Sequence, residues 1–205
     1  MSSATTTPGS RAESTERRRR ALLAAALDCF LEKGYAATTI EDVRHRADAS
    51  IGSLYHHFPG KEHLAAVLYL NALASYHDGF LAALEGTPGT GDAVRAAVTH
   101  HLGWAERHPD EGRFLLTHPE PEVALVSPVA LQAQNRHFYG HVGGWLRARV
   151  EAGQIRELSP DLYYALWLGP AQELTRQWLA GRARTRPVAA TDVLAAAAWT
   201  ALAPG

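Results

Sequence analysis

The sequence predicts an all-α fold, with a small helical unit at the N-terminal end and a larger helical domain after it. Apolar residues recur at three- and four-residue spacing along several segments, as on one face of an amphipathic helix. No segment shows the alternation and β-branched enrichment that are typical of strands. Apolar residues make up 46% of the 205 positions, which is enough to bury a sizeable core.

The N-terminal segment predicts a tail followed by a first helix. Residues 1–14 are rich in Ser, Thr, Pro and Gly, so we expect them to be disordered. Leu23, Leu27 and their neighbours then form one apolar stripe, which predicts a helix from about 15 to 33. Gly34 supplies the stop.

Two short helices follow. Thr38 or Thr39 is placed to cap the first, because acidic residues occupy the next turn. Ser50 is placed to cap the second, over 51–57. The segment Phe58–Gly60 then interrupts the chain before a long helix that begins at Lys61.

The rest of the chain predicts further helices separated by Gly and Pro. The Gly-rich segment 86–91 is the clearest linker, and Gly169 with Pro170 should kink a late helix, because proline removes a helical donor. The remaining predicted helices run from Asp92 to 108, over 113–118, from about 128 to 152, from Ser159 or Asp161 to about 181, and over 193–203.

Composition restricts the functions that are open to the chain. Twenty Lys and Arg against 21 Asp and Glu give a net charge of -1, so any contact with nucleic acid must come from a local patch. The single Cys29 excludes a disulfide scaffold and a multi-cysteine zinc site. We find no signal peptide and no apolar run of about 20 residues, so we expect a cytoplasmic protein without a membrane partner.

The two short capped helices predict a helix-turn-helix, in which the first helix rests on the phosphate backbone and the second lies in the major groove. The residues around them suit this role, because they offer short hydrogen-bond donors, a phenol, imidazoles and an ammonium group. A glycine also lets the helix approach the sugar-phosphate backbone closely. The candidate DNA-binding residues from this pattern are Thr38, Thr39, Ser50, Gly52, Ser53, Tyr55, His56 and Lys61. Arg17–Arg20 could extend the charged surface or simply face solvent.

The segment from Arg19 to Leu64 resembles the TetR family of transcriptional regulators. An amphipathic helix ending in FLEKGY precedes TTIEDV and then GSLYHHFPGKEHL, and the Gly-x-x-Tyr-x-His-Phe-x-x-Lys-x-x-Leu string in this register is specific. The resemblance implies that Tyr55 and Lys61 hold phosphates, and that Ile51, Ser53 and His56 face base edges or the adjacent backbone.

Three positions depart from the family pattern. Asp48 replaces a usual glycine, although Asp tolerates a left-handed turn. Arg44 replaces a usual alanine, and either reaches phosphate or loosens the packing of the two short helices. Ile51 replaces a common polar residue and could contact a thymine methyl group. These departures affect the operator sequence more than DNA binding itself.

The resemblance also implies that the second domain binds a small molecule and forms a homodimer. Large aromatic side chains alternate there with glycines, which leaves room for an apolar cavity, although the same residues could simply fill the core. The candidate effector-binding residues are Trp104, Phe114, His118, Phe138, Tyr164, Trp167 and Gln172. The candidate dimer residues are Leu166, Leu174, Trp178, Leu194, Ala197, Ala198 and Ala201, which could instead close the core of one chain.

The expected function is therefore a ligand-responsive repressor that a small apolar effector releases from a palindromic operator in double-stranded DNA. The alternative is a helix-turn-helix protein without a functional effector pocket. We expect domains over 15–62 and 63–205, no enzymatic activity, no cofactor and no metal site. His137 and His141 lie one helical turn apart, but no third ligand at a matching turn completes a metal site. We interpret His45, His63 and His77 as surface residues.

Overall fold

The computed structural model of the chain describes residues 8–117 and 125–205, and within these ranges its regular secondary structure is helical, which confirms the predicted fold class. In chain order the helices are α1 (Pro8–Lys33), α2 (Ile40–Arg46), α3 (Ile51–His57), α4 (Lys61–Glu85), α5 (Thr90–Arg107), α6 (Pro109–Thr117), α7 (Pro128–Glu151), α8 (Pro160–Trp167), α9 (Gly169–Leu179) and α10 (Thr191–Leu202), with a short 3-10 helix at Pro187–Ala190.

Local signals set most helix ends. Gly34 has a φ of +79°, the left-handed conformation that glycine adopts readily after a helix. The side chains of Thr39 and Ser50 cap α2 and α3 as expected. The start of α1 differs, because the helix begins at Pro8 and not near residue 15, so 8–14 is not the disordered tail that we predicted. Proline suits the first turn of a helix, and Arg, Ala and Glu follow it.

Two other starts also differ from the sequence prediction. Helix α5 begins at Thr90, which places Asp92 inside its first turn and not at its cap. Helix α6 begins at Pro109, four residues before the predicted start. Proline is favourable at the first helical position, because the N–H that it lacks would have no partner within the helix.

The predicted kink divides one long helix into two. Helix α8 ends at Trp167 and α9 begins at Gly169, with Leu168 between them at φ -107°. Pro170 has no N–H to donate into the preceding turn, so the helix cannot continue regularly through it. A cavity lies beside this break and includes Leu168 in its lining.

The helices bury two apolar clusters. The first lies among α1, α2, α3 and the start of α4 and includes Leu54. Phe114 of α6 also packs into this cluster. The second lies between α5, the end of α4 and helices α7 to α10, and includes Phe80 and Trp167. Helix α4 contributes to both clusters, so it joins the small N-terminal unit to the larger domain.

Within residues 8–117 and 125–205, no helix combines the length and the apolar character that crossing a bilayer requires.

Candidate DNA-binding surface and ligand cavity

Helix α3 presents one exposed face. Leu54 is fully buried and fixes α3 to the core of the N-terminal unit. Ile51 and Tyr55 lie one turn apart and are 49% and 51% exposed, which is unusual for side chains of this size. Ser50 Oγ accepts a hydrogen bond from the backbone N–H of Ser53 at 3.1 Å and so fixes the start of the helix. The result is a rigid two-turn helix with apolar and phenolic groups facing outward.

The other α3 candidates also lie on or near this surface. Gly52 and His56 are exposed, and Ser53 is partly exposed. A Cβ atom at Gly52 would meet nothing within 4 Å, so the glycine leaves open space on the helix. The structure therefore brings Ser50, Ile51, Gly52, Ser53, Tyr55 and His56 together on one short helix and its cap.

The turn between α2 and α3 is held by arginine side chains that sequence reasoning did not place there. Asp48 has a φ of +46°, so the left-handed turn that we expected is present. Arg18 Nη1 donates to the carbonyls of Ala47 and Asp48 at 3.4 and 3.3 Å. Arg44 Nη1 donates to the carbonyl of Ala49 at 3.1 Å, while its other nitrogens bind a neighbouring carboxylate. Arg44 thus neither reaches outward nor loosens the packing, and instead it stabilises the turn.

The N-terminus of α2 satisfies its own polar groups. Thr39 Oγ1 accepts from the Asp42 N–H at 3.1 Å, and the hydroxyl donates to Asp42 Oδ2 at 2.8 Å. Lys33 Nζ lies 2.6 Å from Asp42 Oδ1. Lys33, and then the hydrogen bonds from Thr39, hold the pKa of the Asp42 carboxyl well below its ordinary value. Because the Thr39 proton is already donated, this residue acts first as the helix cap.

The fold already engages the side chains of two residues that we predicted as phosphate contacts. Thr38 is 1% exposed, and its hydroxyl points to the carbonyls of Cys29 and Gly34 at 3.0 and 2.8 Å, so the side chain is enclosed in the fold. Lys61 Nζ donates to the carbonyls of Tyr35, Ala36 and Thr38 at 3.0, 3.4 and 2.9 Å. An ammonium has three donors, so these bonds use all of them. The lysine therefore positions the loop between α1 and α2.

This assignment of Lys61 makes a prediction. Lys61→Met should lower the free energy of unfolding by about 2 kcal/mol, because three loop carbonyls lose a charged donor. Urea unfolding checks this value, and Lys33→Met is the matched control, since the exposed Lys33–Asp42 pair should contribute far less to stability. The salt dependence of DNA binding should stay unchanged in Lys61→Met. If the slope of log affinity against log salt concentration fell by about 1 per subunit, the ammonium would be shown to contact phosphate.

A large cavity occupies the second domain. It has a volume of about 820 Å³ and lies between α4, α7 and α8, with a lining that is mainly apolar and aromatic. The predicted residues Phe138, Tyr164, Trp167 and Gln172 all line it. An adjacent cavity of about 430 Å³ lies beneath α6 and α9 and contains Trp104 in its wall. Cavities of this size and lining suit a drug-sized molecule.

One of the predicted effector residues does not contribute to these cavities, and another cannot be placed. Phe114 belongs to the core of the N-terminal unit, where its ring stacks on Phe30 with 5.8 Å between centroids. Helix α6 packs against the N-terminal unit, so the Phe114 ring fills the first apolar cluster and not the second. His118 lies outside the described residues.

Helix α4 supplies lining residues that sequence reasoning missed. His77 is 5% exposed and stacks on Phe138 at 3.8 Å, so our interpretation of it as a surface residue was wrong. Burial lowers the pKa of His77 to about 4, so the ring is neutral near pH 7. Tyr76 lines both cavities, and its hydroxyl lies 3.0 Å from His101 Nδ1. The spacing of Tyr76 and His77 along an amphipathic helix carried no signal that identified either of them as a cavity-lining residue.

These two features define a class of protein. A rigid two-turn helix at the surface of a small helical unit, preceded by a second short helix, is a helix-turn-helix, and the chain is a DNA-binding regulator with a ligand-sized cavity in a second domain. The family model described as "Bacterial regulatory proteins, tetR family" matches residues 22–68, which span α2 and α3.

Relatives and solved structures agree with this result. The transcriptional repressor KstR2 of Mycobacterium tuberculosis is 34% identical over 178 residues, covering 78% of this chain and 86% of the relative. The repressor NicS of Pseudomonas putida is 28% identical over 154 residues, covering 75% and 71%. A TetR family transcription regulator from Marinobacter aquaeolei superposes with a TM-score of 0.75 at 18% identity, over 94% of this chain and 99% of that one. The chain belongs to the TetR family of bacterial transcriptional regulators, a ligand-responsive family.

Proposed function

We propose that the chain is a homodimeric repressor that binds a palindromic operator in double-stranded DNA and leaves it when a small, largely apolar effector binds. The observation that carries this proposal is the combination of an exposed recognition helix with an apolar cavity of about 820 Å³ in one chain. KstR2 and NicS, which resemble this chain, are repressors. The alternative, a DNA-binding protein without a working pocket, fits these relatives less well.

The DNA contact is proposed for the exposed face of α3. Tyr55 reaches a phosphate through its hydroxyl, and Ile51 contacts a thymine methyl group, because it has no hydrogen-bonding atom. Ser50, Gly52, Ser53, Thr39 and His56 complete the proposed contact set. A single two-turn helix makes few contacts, so two copies related by a two-fold axis and spaced one helical turn of DNA apart are needed for useful affinity.

The proposed dimer surface is an exposed apolar face on α8 and α10. Leu162, Leu166 and Val193 are 45%, 39% and 73% exposed, and Ala197 beside them is exposed too. Apolar surface of this kind is typical of protein–protein contacts. Ala198 is an exception among the predicted dimer residues, because it is 2% exposed and packs within the core of its own chain.

A direct packing route joins the cavity to the DNA-binding unit. Gly112 and Leu115 of α6 line the smaller cavity, while Phe114 of the same helix stacks on Phe30 of α1. A ligand that displaces α6 must therefore also move α1 or break that stack. The effector shifts the population of the two arrangements by binding the DNA-incompetent one more tightly. A hundredfold loss of operator affinity corresponds to about 2.7 kcal/mol of coupling.

We further propose that 15–62 form the DNA-binding domain and 63–205 the effector and dimerisation domain, although α4 is continuous across this boundary. The regulator then acts on the chromosome, in the cytoplasm. No step in this function needs a catalytic group, a cofactor or a metal ion.

Selection of bound duplexes from random DNA tests the proposal. A palindromic sequence should emerge, and fluorescence anisotropy should show two chains on each duplex. Adding apolar compounds should raise the dissociation constant of the complex between the protein and the selected operator. Selection without any preferred sequence would reject the DNA-binding role, and tighter binding with every active compound would reject release by the effector.

Filling the cavity gives a sharper prediction. Gly143 of α7 lines the larger cavity, and a Cβ atom there would meet its first neighbour at 3.6 Å. Gly143→Leu should therefore occupy ligand space and abolish binding of the neutral fluorescent probe N-phenyl-1-naphthylamine, while the helix gains stability of up to about 1 kcal/mol. Gly140→Leu is the matched control, because this glycine lies on the same helix with nothing within 4 Å of its Cβ position. Equal probe binding by both variants would show that the cavity is not the ligand site.

A further inference from the structure

A third cavity lies where the N-terminal unit meets the second domain, and we call it the junction cavity. It has a volume of about 740 Å³, and its walls come from the end of α1, the loop between α1 and α2, α6 and the end of α9. The described residues that line it do not line the larger cavity, although Leu116, Arg176 and Leu179 form a wall that it shares with the smaller one. The junction cavity is therefore separate from the larger cavity.

The junction cavity combines an apolar wall with charges of one sign. Leu31 and Tyr35 are partly exposed beside it, and Leu116 is 52% exposed. The described part of its lining contains no acidic residue but four basic ones, namely Lys33, Arg113, Arg176 and Arg182. Because basic and acidic residues are nearly balanced over the whole chain, this lining is a local concentration of positive charge.

Several of these basic side chains keep hydrogen-bond donors that the described protein does not use. Asp42 accepts one hydrogen bond from Lys33 Nζ, and an ammonium has three donors. Glu173 accepts from Nε and Nη2 of Arg176 and leaves Nη1. The exposed Arg182 side chain forms no hydrogen bond or ion pair with the described residues. Donors for an anion are therefore available on both sides of the cavity.

The end of α9 fixes the backbone of Arg182 at the cavity wall. Gly181 has a φ of +70°, the left-handed conformation that glycine adopts readily after a helix. The backbone N–H groups of Arg182 and Ala183 both donate to the carbonyl of Gln177, at 2.8 and 3.2 Å. The turn thus holds an unpaired arginine beside the cavity.

The other three cations are neutralised from outside the cavity. Each forms an ion pair with a carboxylate that is not part of the described lining, and the pairs are Lys33–Asp42, Arg113–Asp110 and Arg176–Glu173. Arg182 has no such partner, so four positive and three negative charges leave a surplus of one. A singly charged anion balances this surplus, whereas a polyphosphate exceeds it.

We propose that the junction cavity is a second small-molecule site, which binds an apolar molecule that carries a single negative charge, as a carboxylate or a sulfonate. The anion accepts hydrogen bonds from Arg182 and from Nη1 of Arg176. The apolar body lies against Tyr35 and Leu116. A ligand in this position contacts both the loop after α1 and the end of α9, so it joins the DNA-binding unit to the second domain without entering the larger cavity.

Two probes that differ only in charge test this site. N-phenyl-1-naphthylamine is neutral, and 8-anilino-1-naphthalenesulfonate is the same ring system with one sulfonate. Isothermal titration calorimetry with the full-length protein gives their affinities. Binding of the sulfonate should weaken as salt is added, because salt screens exposed charges, whereas binding of the neutral probe should not weaken.

Arg182→Gln should weaken binding of the sulfonate by about fivefold and leave binding of the neutral probe unchanged. Arg182→Glu should weaken it further, because it reverses the surplus charge. Both variants should fold normally, since the Arg182 side chain makes no pair that they could break. Arg184→Gln is the matched control, because Arg184 is an exposed arginine on the same loop and does not line the cavity.

Gly143→Leu separates the two sites. It should abolish binding of the neutral probe, as predicted above, and change the affinity for the sulfonate by no more than about twofold. If it abolishes binding of both probes, the sulfonate binds in the larger cavity and the junction site does not exist. The same conclusion follows if the sulfonate does not bind, or if Arg182→Gln and Arg184→Gln have equal effects. Operator selection does not depend on these titrations, so the proposed function and the junction site can each fail alone.

Discussion

Removal of the Tyr55 hydroxyl should weaken operator binding by at least about a hundredfold. A hydrogen bond to a charged phosphate contributes about 1.5–3 kcal/mol, and a dimer loses two of them in Tyr55→Phe. The fold should not change, because Tyr55 is 51% exposed and the buried contacts of α3 are made by Leu54. The loss should be similar on all sequences, since phosphate contacts carry no base information.

Fluorescence anisotropy with the selected operator measures this effect across a range of salt concentrations. The slope of affinity against salt should stay the same, because the phenol is neutral and displaces no counterion. Tyr139→Phe, measured without effector, is the matched control, since Tyr139 is a similarly exposed tyrosine that lines the larger cavity on α7 and lies outside the DNA-binding unit. Operator affinity that is equal in the two variants would show that Tyr55 does not contact DNA, and the proposed role of α3 would then be wrong.

The DNA-binding unit could be predicted because its signals are local. A helix cap acts over three residues, so Thr39 and Ser50 fix the starts of α2 and α3 whatever the rest of the chain does. Gly34 ends α1 for the same reason. The exposed face of α3 followed from these boundaries together with the family resemblance.

The contacts that sequence patterns could not supply join residues distant in sequence. Thr38 and Thr39 are adjacent residues of the same type, and the fold alone decides that the first hydroxyl turns inward. Lys61 binds the carbonyl of Tyr35, 26 positions away, which no spacing rule reports. Phe114 and His77 each lie on an amphipathic helix, and periodicity identifies a buried face without identifying the core that receives it.

Acid should destabilise the second domain well before its carboxylates titrate. His77 and His101 are buried as neutral rings, and burial lowers the pKa of each to about 4. An unfolded histidine has a pKa near 6.5. Burial also lowers the pKa of His100 and His57. Between about pH 6.5 and 4, the unfolded chain therefore binds at least two protons that the folded chain excludes, and the stability present above pH 6.5 falls as the pH falls.

The size of this effect follows from linkage. Each such histidine contributes up to about 1.4 kcal/mol per pH unit, so His77 and His101 together add up to about 2.8 kcal/mol per unit between the two pKa values. Urea unfolding between about pH 7 and 5 measures it at one fixed protein concentration, because dimer dissociation is coupled to unfolding. Carboxylates contribute little to the slope in this window, since their ordinary pKa values lie near 4.

His77→Phe should reduce that slope by up to about 1.4 kcal/mol per pH unit, which is the contribution of one histidine. Phenylalanine can keep the stacking on Phe138, whose ring lies parallel to the imidazole within 6°, and it removes Nδ1, which has no hydrogen-bond partner in the described part of the fold. The variant should therefore be at least as stable as the original chain at pH 7 and clearly more stable at pH 5. Asn71→Ala on the exposed side of α4 should leave the slope unchanged. Parallel pH curves for His77→Phe and the original chain would mean that the ring is already hydrated and protonates in the folded state, which would contradict its burial against Phe138.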